Sequence, residues 1–167
     1  GVMFVKGKAA RVTPGALSSL TVTLEDGQEI AGTHLLVAVG RRARTEGYGL
    51  KKIGIELGRN GILVDERRRT SLKHIYAIGD CAAHANPFAD NAVIRLESVQ
   101  NAHDQAAAVA ANICGIDTVY APHPWFWSDQ YDMKLQIAGL NRGYDAVVVR
   151  PGKREGSVSH FYFRQGR

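Results

Sequence analysis

The sequence contains only two cysteines, Cys81 and Cys114, and neither belongs to a Cys-x-x-Cys pair. Cys81 and His84 have the spacing of half a zinc site, but no second pair of ligands completes it. A structural disulfide and a zinc site are therefore both disfavoured. Two isolated thiols are typical of proteins in a reducing compartment, so we expect a cytoplasmic protein.

Long apolar runs and nucleotide-binding fingerprints are absent as well. No stretch approaches the ~18 consecutive apolar residues of a membrane span, and the opening GVMFVKGKAARV lacks the layout of a signal peptide. The sequence has no G-x-S-x-G elbow, P-loop or G-x-G-x-x-G motif, so nothing in it cradles a pyrophosphate by itself. Because it starts at Gly1 and stops inside apparent turn chemistry, we expect a chain shortened at both ends.

Negative charge is the scarcer sign: the net charge is +5 and the pI is near 9.4. The excess is concentrated in two arginine runs, at residues 41–44 and 67–69. Such a balance favours an acidic partner, although charge runs are more often solvated surface. No nucleic-acid reader motif accompanies the charge, so we expect no nucleic-acid partner, and the sequence leaves the oligomeric state open.

The first third of the chain reads as β structure. SSLTVTLEDGQEIAG alternates apolar and polar residues on both sides of Asp26-Gly27, which predicts a β-hairpin. The apolar run Leu35–Val39, closed by Gly40, predicts a buried strand that follows this meander.

A second buried strand is predicted at residues 75–78, after a short one at Ile62–Val64. It runs directly into Gly79-Asp80, and ligands of parallel sheets sit at the carboxyl ends of strands. Asp80 is therefore a candidate ligand-binding carboxylate, with Gly79 leaving room for a ligand. The alternative is an ordinary Gly-Asp turn, and the stretch from residue 83 to 92 is predicted to be a loop.

LESVQNAHDQAAAVAANICG predicts the one strong helix, ending where Gly115 can serve as the C′ residue. Free N–H groups at its start, near Glu97, attract a ligand oxygen, although a plain capped helix explains the pattern equally well. The predicted buried stripe of this helix is mostly alanine and comprises Val99, Ala102, Ala106, Val109, Ala110 and Ile113.

The remainder is aromatic and strand-like, with Trp125, Phe126 and Trp127 in one cluster and further strands up to the end. A carboxylate can accept hydrogen bonds from a polyol, a helix start can stabilise a ring carbonyl, and tryptophan can stack on a planar ring. Together these features describe a site for a large cofactor with a polar tail and a flat head.

Two segments carry a family resemblance. GILVDERRRTSLKHIYAIGDCA resembles the second FAD-contacting segment of the flavoprotein reductases with two dinucleotide-binding domains. NPFADNAVIRLESVQNAHDQAAAVAANICG, PWFWSDQYDMKLQIAGL and GYDAVVVR resemble the FAD- and NADH-dependent ferredoxin reductases of bacterial oxygenase systems. The resemblance implies an α/β fold, FAD and NAD(P)H as cofactors, and an acidic iron–sulfur ferredoxin as the electron acceptor.

The resemblance also implies a domain organisation. Residues 1–45 are the C-terminal part of the NAD(P)-binding domain, residues 46–116 the C-terminal part of the FAD-binding domain, and residues 117–167 the start of the reductase C-terminal domain. The same comparison implies cofactor-binding roles for Gly40 beside the nicotinamide nucleotide, for Asp80 at the flavin ribityl chain, and for Gly79, Leu96, Glu97, Ser98, Val99, Trp127 and Trp125 around the flavin. No catalytic acid, base or metal ligand is implied.

Part of the sequence points to a neighbouring branch of enzymes. LLVAVGRRARTEGYGLKKIGIEL resembles dihydrolipoamide dehydrogenases and mercuric reductases, so a pyridine-nucleotide disulfide reductase is an alternative. In that branch His123-Pro124 would begin a His-Pro-x-x-x-Glu motif, but no Glu follows, which favours one-electron transfer. For Arg41 and Arg42 two alternatives are open: contact with an NADP phosphate, or ordinary surface charge. A chimera, a non-enzymatic flavin-binding protein and an inert fragment are further alternatives.

Overall fold

The computed structural model describes residues 2–166, and the chain divides into two compact units, residues 1–41 and 42–167. The described residues form short β-sheets and one α-helix. The predicted mixture of α and β structure is therefore confirmed. The two units are described separately below.

Residues 1–41 contain an antiparallel three-stranded sheet of β1 (Ala9–Pro14), β2 (Leu20–Leu24) and β3 (Glu29–Gly32), in the order β1-β2-β3. The predicted hairpin is confirmed, with Val22 opposite Ile30. At its turn Gly27 has φ +87°, and the Gln28 N–H donates to Asp26 Oδ1 at 2.9 Å. Glycine and aspartate there adopt the turn at low cost.

The predicted strand at Leu35–Val39 is wrong. These residues form no strand, and Leu36 and Val39 are 88% and 93% exposed. An apolar run of this kind becomes a buried strand only when neighbouring strands pair with both of its edges. Within the described part of the chain, no strand pairs with it.

Residues 42–167 begin with a four-stranded sheet. Its strands are β4 (Leu57–Gly58), β5 (Gly61–Leu63), β6 (Ala82–Ala85) and β7 (Val93–Ile94), in that order. Strands β5 and β6 are parallel, and the other two pairs are antiparallel. β6 is the most buried strand, with Ala82 and Ala83 at most 1% exposed. The predicted strand at Ile62–Val64 is present one residue earlier, as β5.

The sequence interpretation misplaced the central strand. Residues 75–78 make only an isolated bridge between Tyr76 and Arg69, and Ile78 is 38% exposed. The buried strand is β6, inside the segment predicted to be a loop, because β6 is paired on both edges, by β5 and β7, whereas residues 75–78 belong to no strand of that sheet. Gly79–Cys81 forms a single 3₁₀ turn ahead of it. Asp80 therefore lies at the amino end of a buried strand, not at a carboxyl end.

The predicted helix is confirmed as α1 (Val99–Ile113), with the Ser98 hydroxyl capping its first turn. Its end is a Schellman arrangement, in which the Gly115 N–H donates to the Asn112 carbonyl and the Ile116 N–H to the Ala111 carbonyl. Gly115 has φ +83°, the left-handed conformation that this ending requires.

The helix itself is right, but the predicted buried face of α1 is wrong except at Val109. Val99 and Ile113 are 58% and 67% exposed, and Ala106 and Ala110 are also exposed. The buried residues are instead Asn101, Gln105, Ala108 and Val109. The polar residues among them face inward because they hydrogen-bond to groups of other segments, as described for the site below.

The last part of the chain forms two antiparallel hairpins, as the alternation in its sequence indicates. β8 (Trp125–Gln130) pairs with β9 (Met133–Ala138), and β10 (Ala146–Pro151) pairs with β11 (Val158–Phe163). Arg164, just after β11, makes a bidentate ion pair with Asp90, with one N–O distance of 2.9 Å. This pair connects the second hairpin to the β6–β7 connection.

The interior of residues 42–167 is unusually polar. The largest fully buried side chains are those of Arg68, Gln105, Asn86 and Thr70. The Arg68 guanidinium carbon lies 4.6 Å from the centre of the Tyr120 ring, a cation–π contact. Burial lowers the pKa of Arg68 to about 10, so this guanidinium still carries its charge at neutral pH.

Gly61 is the position where the sheet tolerates no side chain. A Cβ there would lie 2.4 Å from the Cys81 carbonyl oxygen and 2.9 Å from Arg95 Cδ. We expect Gly61→Ala to lower the free energy of unfolding by about 3 kcal/mol, since both backbone and side chain must shift. The matched control is Gly54→Ala, with φ +87° and no atom within 4 Å, for which ~1 kcal/mol is expected. Urea unfolding followed by tryptophan fluorescence measures the free energy of unfolding of both variants. Equal decreases in the two variants would show that the close contacts at Gly61 do not add to the cost of its substitution.

His84 makes the stability of residues 42–167 depend on pH. It is 2% exposed, and burial, aided by the nearby charge of Arg68, lowers its pKa from 6.5 to about 4. As the pH falls below 6.5, the unfolded chain protonates His84 while the folded chain keeps it neutral, so the free energy of unfolding decreases. The stabilisation associated with neutral His84 is therefore complete above pH 6.5 and is lost by about pH 4.

We expect this contribution to be on the order of 3 kcal/mol. His84→Phe keeps a ring beside Tyr120, with which the imidazole makes a T-shaped contact at 5.6 Å, and removes the titration. Its free energy of unfolding should fall less than that of the unmodified chain between about pH 7 and pH 4.5. If the free energy of unfolding decreases equally with pH in the two proteins, His84 does not cause the pH dependence.

Candidate functional site

The candidate site is a cavity of about 220 Å³ between the segment before α1 and the β8–β9 hairpin. Pockets that enclose a whole drug-sized ligand usually have roughly 300–1,000 Å³, so this one suits a ring-sized part of a larger molecule. One wall is made of Arg95, Leu96, Glu97 and Ser98, and the other includes Trp125, Phe126 and Ile137, with Pro124, Gly139, Leu140 and Asn141 completing the lining.

Ser98 shapes the first wall because it is the N-cap of α1. Its hydroxyl accepts a hydrogen bond from the Asn101 N–H at 3.2 Å. The other N–H groups at the start of a helix have no partner within the helix. Such groups attract an electronegative ligand atom. Val99, the first helical residue, is 58% exposed at this end.

Arg95 connects this wall to the turn that carries Asp80. Its Nη1 donates to the Asp80 carbonyl oxygen, and its Nη2 lies 2.7 Å from Glu97 Oε1. The Arg95 side chain is only 12% exposed. One buried guanidinium therefore holds together the two segments from which carboxylates were predicted to bind a cofactor.

Gly79 and Asp80 differ in their surroundings within the same turn. Gly79 is buried with φ +72°, and its N–H donates to Gln105 Oε1 at 2.8 Å. Asp80 is exposed. The backbone of the turn is therefore fixed from inside the protein, while the residue that carries the carboxylate faces outward.

The structure brings together most of the predicted site residues, but not all. Leu96, Glu97, Ser98 and Trp125 line the cavity, and Gly79 and Asp80 join it through Arg95. Trp127 is 50% exposed and lies outside the lining, so Trp125 is the tryptophan placed at the cavity. Gly40 belongs to the other compact unit, where it has φ +136°.

Several residues that build the site were not predicted from the sequence. Arg95 lies in the loop before α1, where an arginine reads as surface charge. Asn101 and Gln105 carry a usable signal, since residues four apart share a helix face and two amides there interrupt any apolar stripe. Tyr120, which is 7% exposed, donates to Asn101 Oδ1 at 2.7 Å and had no sequence signal.

The described residues contain neither a group of metal ligands nor a membrane-spanning helix. Among residues 2–166, no three His, Cys, Asp or Glu side chains are grouped closely enough to hold a metal ion. Within the same range no helix has the length and apolar character needed to cross a membrane.

Comparison with known proteins places this geometry in a family. Residues 1–106 match the family described as pyridine nucleotide-disulphide oxidoreductase, and residues 125–167 match the reductase C-terminal family. The ferredoxin–NAD(P)(+) reductase of Sphingomonas sp. is 57% identical over 109 residues, which cover 65% of this chain and 26% of that protein. The 5,5′-dehydrodivanillate O-demethylase ferredoxin reductase subunit of Sphingobium sp. is 45% identical, over 87% of this chain and 34% of that protein.

A solved structure shows the same likeness in three dimensions. The ferredoxin reductase for the CYP199A2 system from Rhodopseudomonas palustris superposes with a TM-score of 0.81 at 39% identity, covering 95% of this chain and 38% of that one. The chain thus spans about a quarter to two fifths of the lengths of these proteins. Its fold is that of part of a FAD/NAD-binding reductase, and the chain belongs to the pyridine nucleotide-disulphide oxidoreductase family.

Proposed function

We propose that this chain is part of a FAD-dependent reductase that takes electrons from NAD(P)H and passes them to an iron–sulfur ferredoxin of an oxygenase system. The observation that carries the proposal is the ring-sized cavity bounded by a helix start and Trp125, with Asp80 tied to it through Arg95. The ferredoxin reductases to which the chain is 45% and 57% identical support the choice of acceptor.

The residues present fit the flavin part of FAD. The cavity offers an aromatic wall for a flat ring, N–H groups at the start of α1 for ring carbonyl oxygens, and Asp80 beyond it for a polyol chain. Leu96, Glu97, Ser98 and Val99 would hold the ring edge, and Trp125 would cover a face, with Trp127 as a more distant contact. When bound, FAD supplies the chemistry that converts a two-electron hydride into single electrons.

The side chains of this chain then serve to bind, orient and exclude water. Trp125, Phe126 and Ile137 keep water from the ring, which strengthens electrostatic interactions inside the cavity. The dipole of α1 stabilises negative charge near its first turn. No proton donor or acceptor on a side chain is needed for electron transfer through a bound flavin.

We propose the same domain organisation that the sequence resemblance implies: residues 1–45 with the NAD(P) nucleotide, 46–116 with FAD, and 117–167 as the start of the C-terminal domain. The compact unit of residues 1–41 and the C-terminal family match from residue 125 support this division. Gly40 is then a nicotinamide-nucleotide contact. Glu97 faces the nicotinamide side of the cavity.

One-electron transfer fits the chain better than thiol chemistry. Residues 125–167 match the reductase C-terminal family, and the relatives described above are ferredoxin reductases. A reducing cytoplasm is the proposed site of action, because the sequence carries only two isolated thiols.

Binding of FAD by this chain tests the proposal. We expect saturable quenching of flavin fluorescence on titration, and an at least tenfold (~1.4 kcal/mol) weaker affinity in Asp80→Asn, because an exposed carboxylate that accepts polyol hydroxyls is lost. The matched control is Asp132→Asn, an exposed aspartate in the β8–β9 turn. If Asp80→Asn and Asp132→Asn bind FAD with the same affinity, Asp80 has no role in the cofactor site.

The partner proposal is tested by ionic strength. A chain of net charge +5 attracts an acidic ferredoxin through charges that salt screens. We expect the association rate constant with a plant-type or oxygenase-type ferredoxin to fall about tenfold or more between roughly 0.02 and 0.3 M salt. A rate constant indifferent to salt in a stopped-flow or biosensor measurement would remove the electrostatic argument for this partner.

A further inference from the structure

Two amide side chains occupy the buried face of α1, where apolar residues were expected. Asn101 is 4% exposed and Gln105 is 0% exposed. Burying an amide is unfavourable unless its donors and acceptors find partners, so such residues mark specific connections. Neither of them lines the cavity.

Gln105 reaches the turn that carries Asp80. Its Oε1 accepts the Gly79 N–H at 2.8 Å, and its Nε2 donates to Asn101 Oδ1 at 2.9 Å. Gly79 has φ +72° and immediately precedes Asp80, so this bond fixes the backbone from which that residue projects.

Asn101 reaches the cavity wall. Its Nδ2 donates to the Leu96 carbonyl at 2.8 Å, and its backbone N–H donates to Ser98 Oγ at 3.2 Å. Its Oδ1 accepts from Gln105 and also from the Tyr120 hydroxyl at 2.7 Å. Burial raises the pKa of Tyr120, which keeps that hydroxyl a donor.

The chemistry of the two ends fixes the direction of every bond between them. A backbone N–H can only donate, so Gly79 requires the oxygen of Gln105 and turns its nitrogen toward Asn101. A carbonyl can only accept, so Leu96 requires the nitrogen of Asn101 and turns its oxygen toward Gln105. The two amides therefore have one compatible orientation, and each end selects it for the other.

We propose that Asn101 and Gln105 form an amide relay, a pair of positioning residues that couples the Gly79–Cys81 turn to the cavity wall at residues 96–98. Through these segments the relay sets the relative placement of Asp80 and the helix start, the two groups that hold the cofactor. The inference rests on the proposed function for its effect on FAD, whereas the coupling itself stands on the hydrogen bonds.

The relay predicts different results for two substitutions at one position. Gln105→Leu removes both side-chain bonds and frees the Gly79 amide. Gln105→Glu keeps an oxygen for Gly79. When its carboxyl group is ionised, the second oxygen faces Asn101 Oδ1, so Asn101 turns its amide and loses its bond to the Leu96 carbonyl. When the carboxyl group is protonated, as burial favours, its O–H donates to Asn101 Oδ1 and the relay is kept. The matched control is Gln100→Leu on the same helix, since Gln100 is exposed and donates only to Asp104, at 2.7 Å.

The experiment combines NMR hydrogen exchange on the full 167-residue chain with FAD titration of each variant. In Gln105→Leu we expect exchange of the Gly79 amide to accelerate about 10-fold to 100-fold, while amides within α1 keep their protection. In Gln105→Glu the Gly79 amide stays protected, and the Asn101 side-chain amide signals shift as the pH is raised through the range in which the introduced carboxyl group ionises. Gln105→Leu, and Gln105→Glu at a pH at which its carboxyl group is ionised, bind FAD about tenfold or more weakly, and Gln100→Leu matches the unmodified chain.

Three outcomes would overturn the relay. Uniform acceleration of all amides in Gln105→Leu would show a merely structural role, and unchanged FAD affinity in both Gln105 variants would show that the bonds do not position the cofactor. Asn101 signals that stay unmoved while the carboxyl group of Gln105→Glu ionises would show that the ends are uncoupled, and this variant keeps the test open if Gln105→Leu does not fold. Absence of FAD binding by the unmodified chain counts against the proposed function alone, because the exchange and Asn101 signals still decide the coupling.

Discussion

The structure of residues 42–167 depends on the requirement that buried polar groups find partners. Its largest fully buried side chains are polar, and most of its buried apolar residues are alanines. Such a core supplies little area for hydrophobic stabilisation, which scales with the apolar surface removed from water. Hydrogen bonds with fixed direction therefore decide how the turn before β6, the start of α1 and Tyr120 come together. This gives the site a defined geometry although the cavity itself is small.

The sequence was most informative where structure depends on neighbouring residues. The Asp26-Gly27 hairpin, helix α1 and its ending at Gly115 are determined by turn and capping chemistry within a few positions, and all three are present. The strands expected at 35–39 and 75–78 depend instead on partners distant in sequence. Apolar composition alone does not reveal whether those partners exist, and so it favoured strands that the described residues do not form.

The candidate site shows the same division. The helix start at residues 96–98 and the tryptophan cluster could be located from motif and composition, and the helix start lines the cavity together with Trp125 and Phe126 of the cluster. The choice between Trp125 and Trp127 could not, because it depends on how the β8–β9 hairpin sits against α1. The role of Arg95 could not be predicted either, because the sequence around it is typical of a surface loop. It connects Asp80 to Glu97 because its side chain, only 12% exposed, hydrogen-bonds to both residues. Tertiary contacts, not local pattern, made it part of the site.

The groups present also indicate which portion of a dinucleotide this chain can hold. A pyrophosphate is usually bound by a glycine-rich turn at a helix start, and the sequence contains no such fingerprint. A flat ring needs an apolar wall and a few donors, and the cavity between Trp125 and Ser98 provides both. A polyol needs acceptors, which the outward-facing Asp80 provides. Under the proposed function, the chain would therefore hold the ring and sugar-alcohol end of FAD, and the bonds of Asn101 and Gln105 that would place these groups run through the interior of the protein.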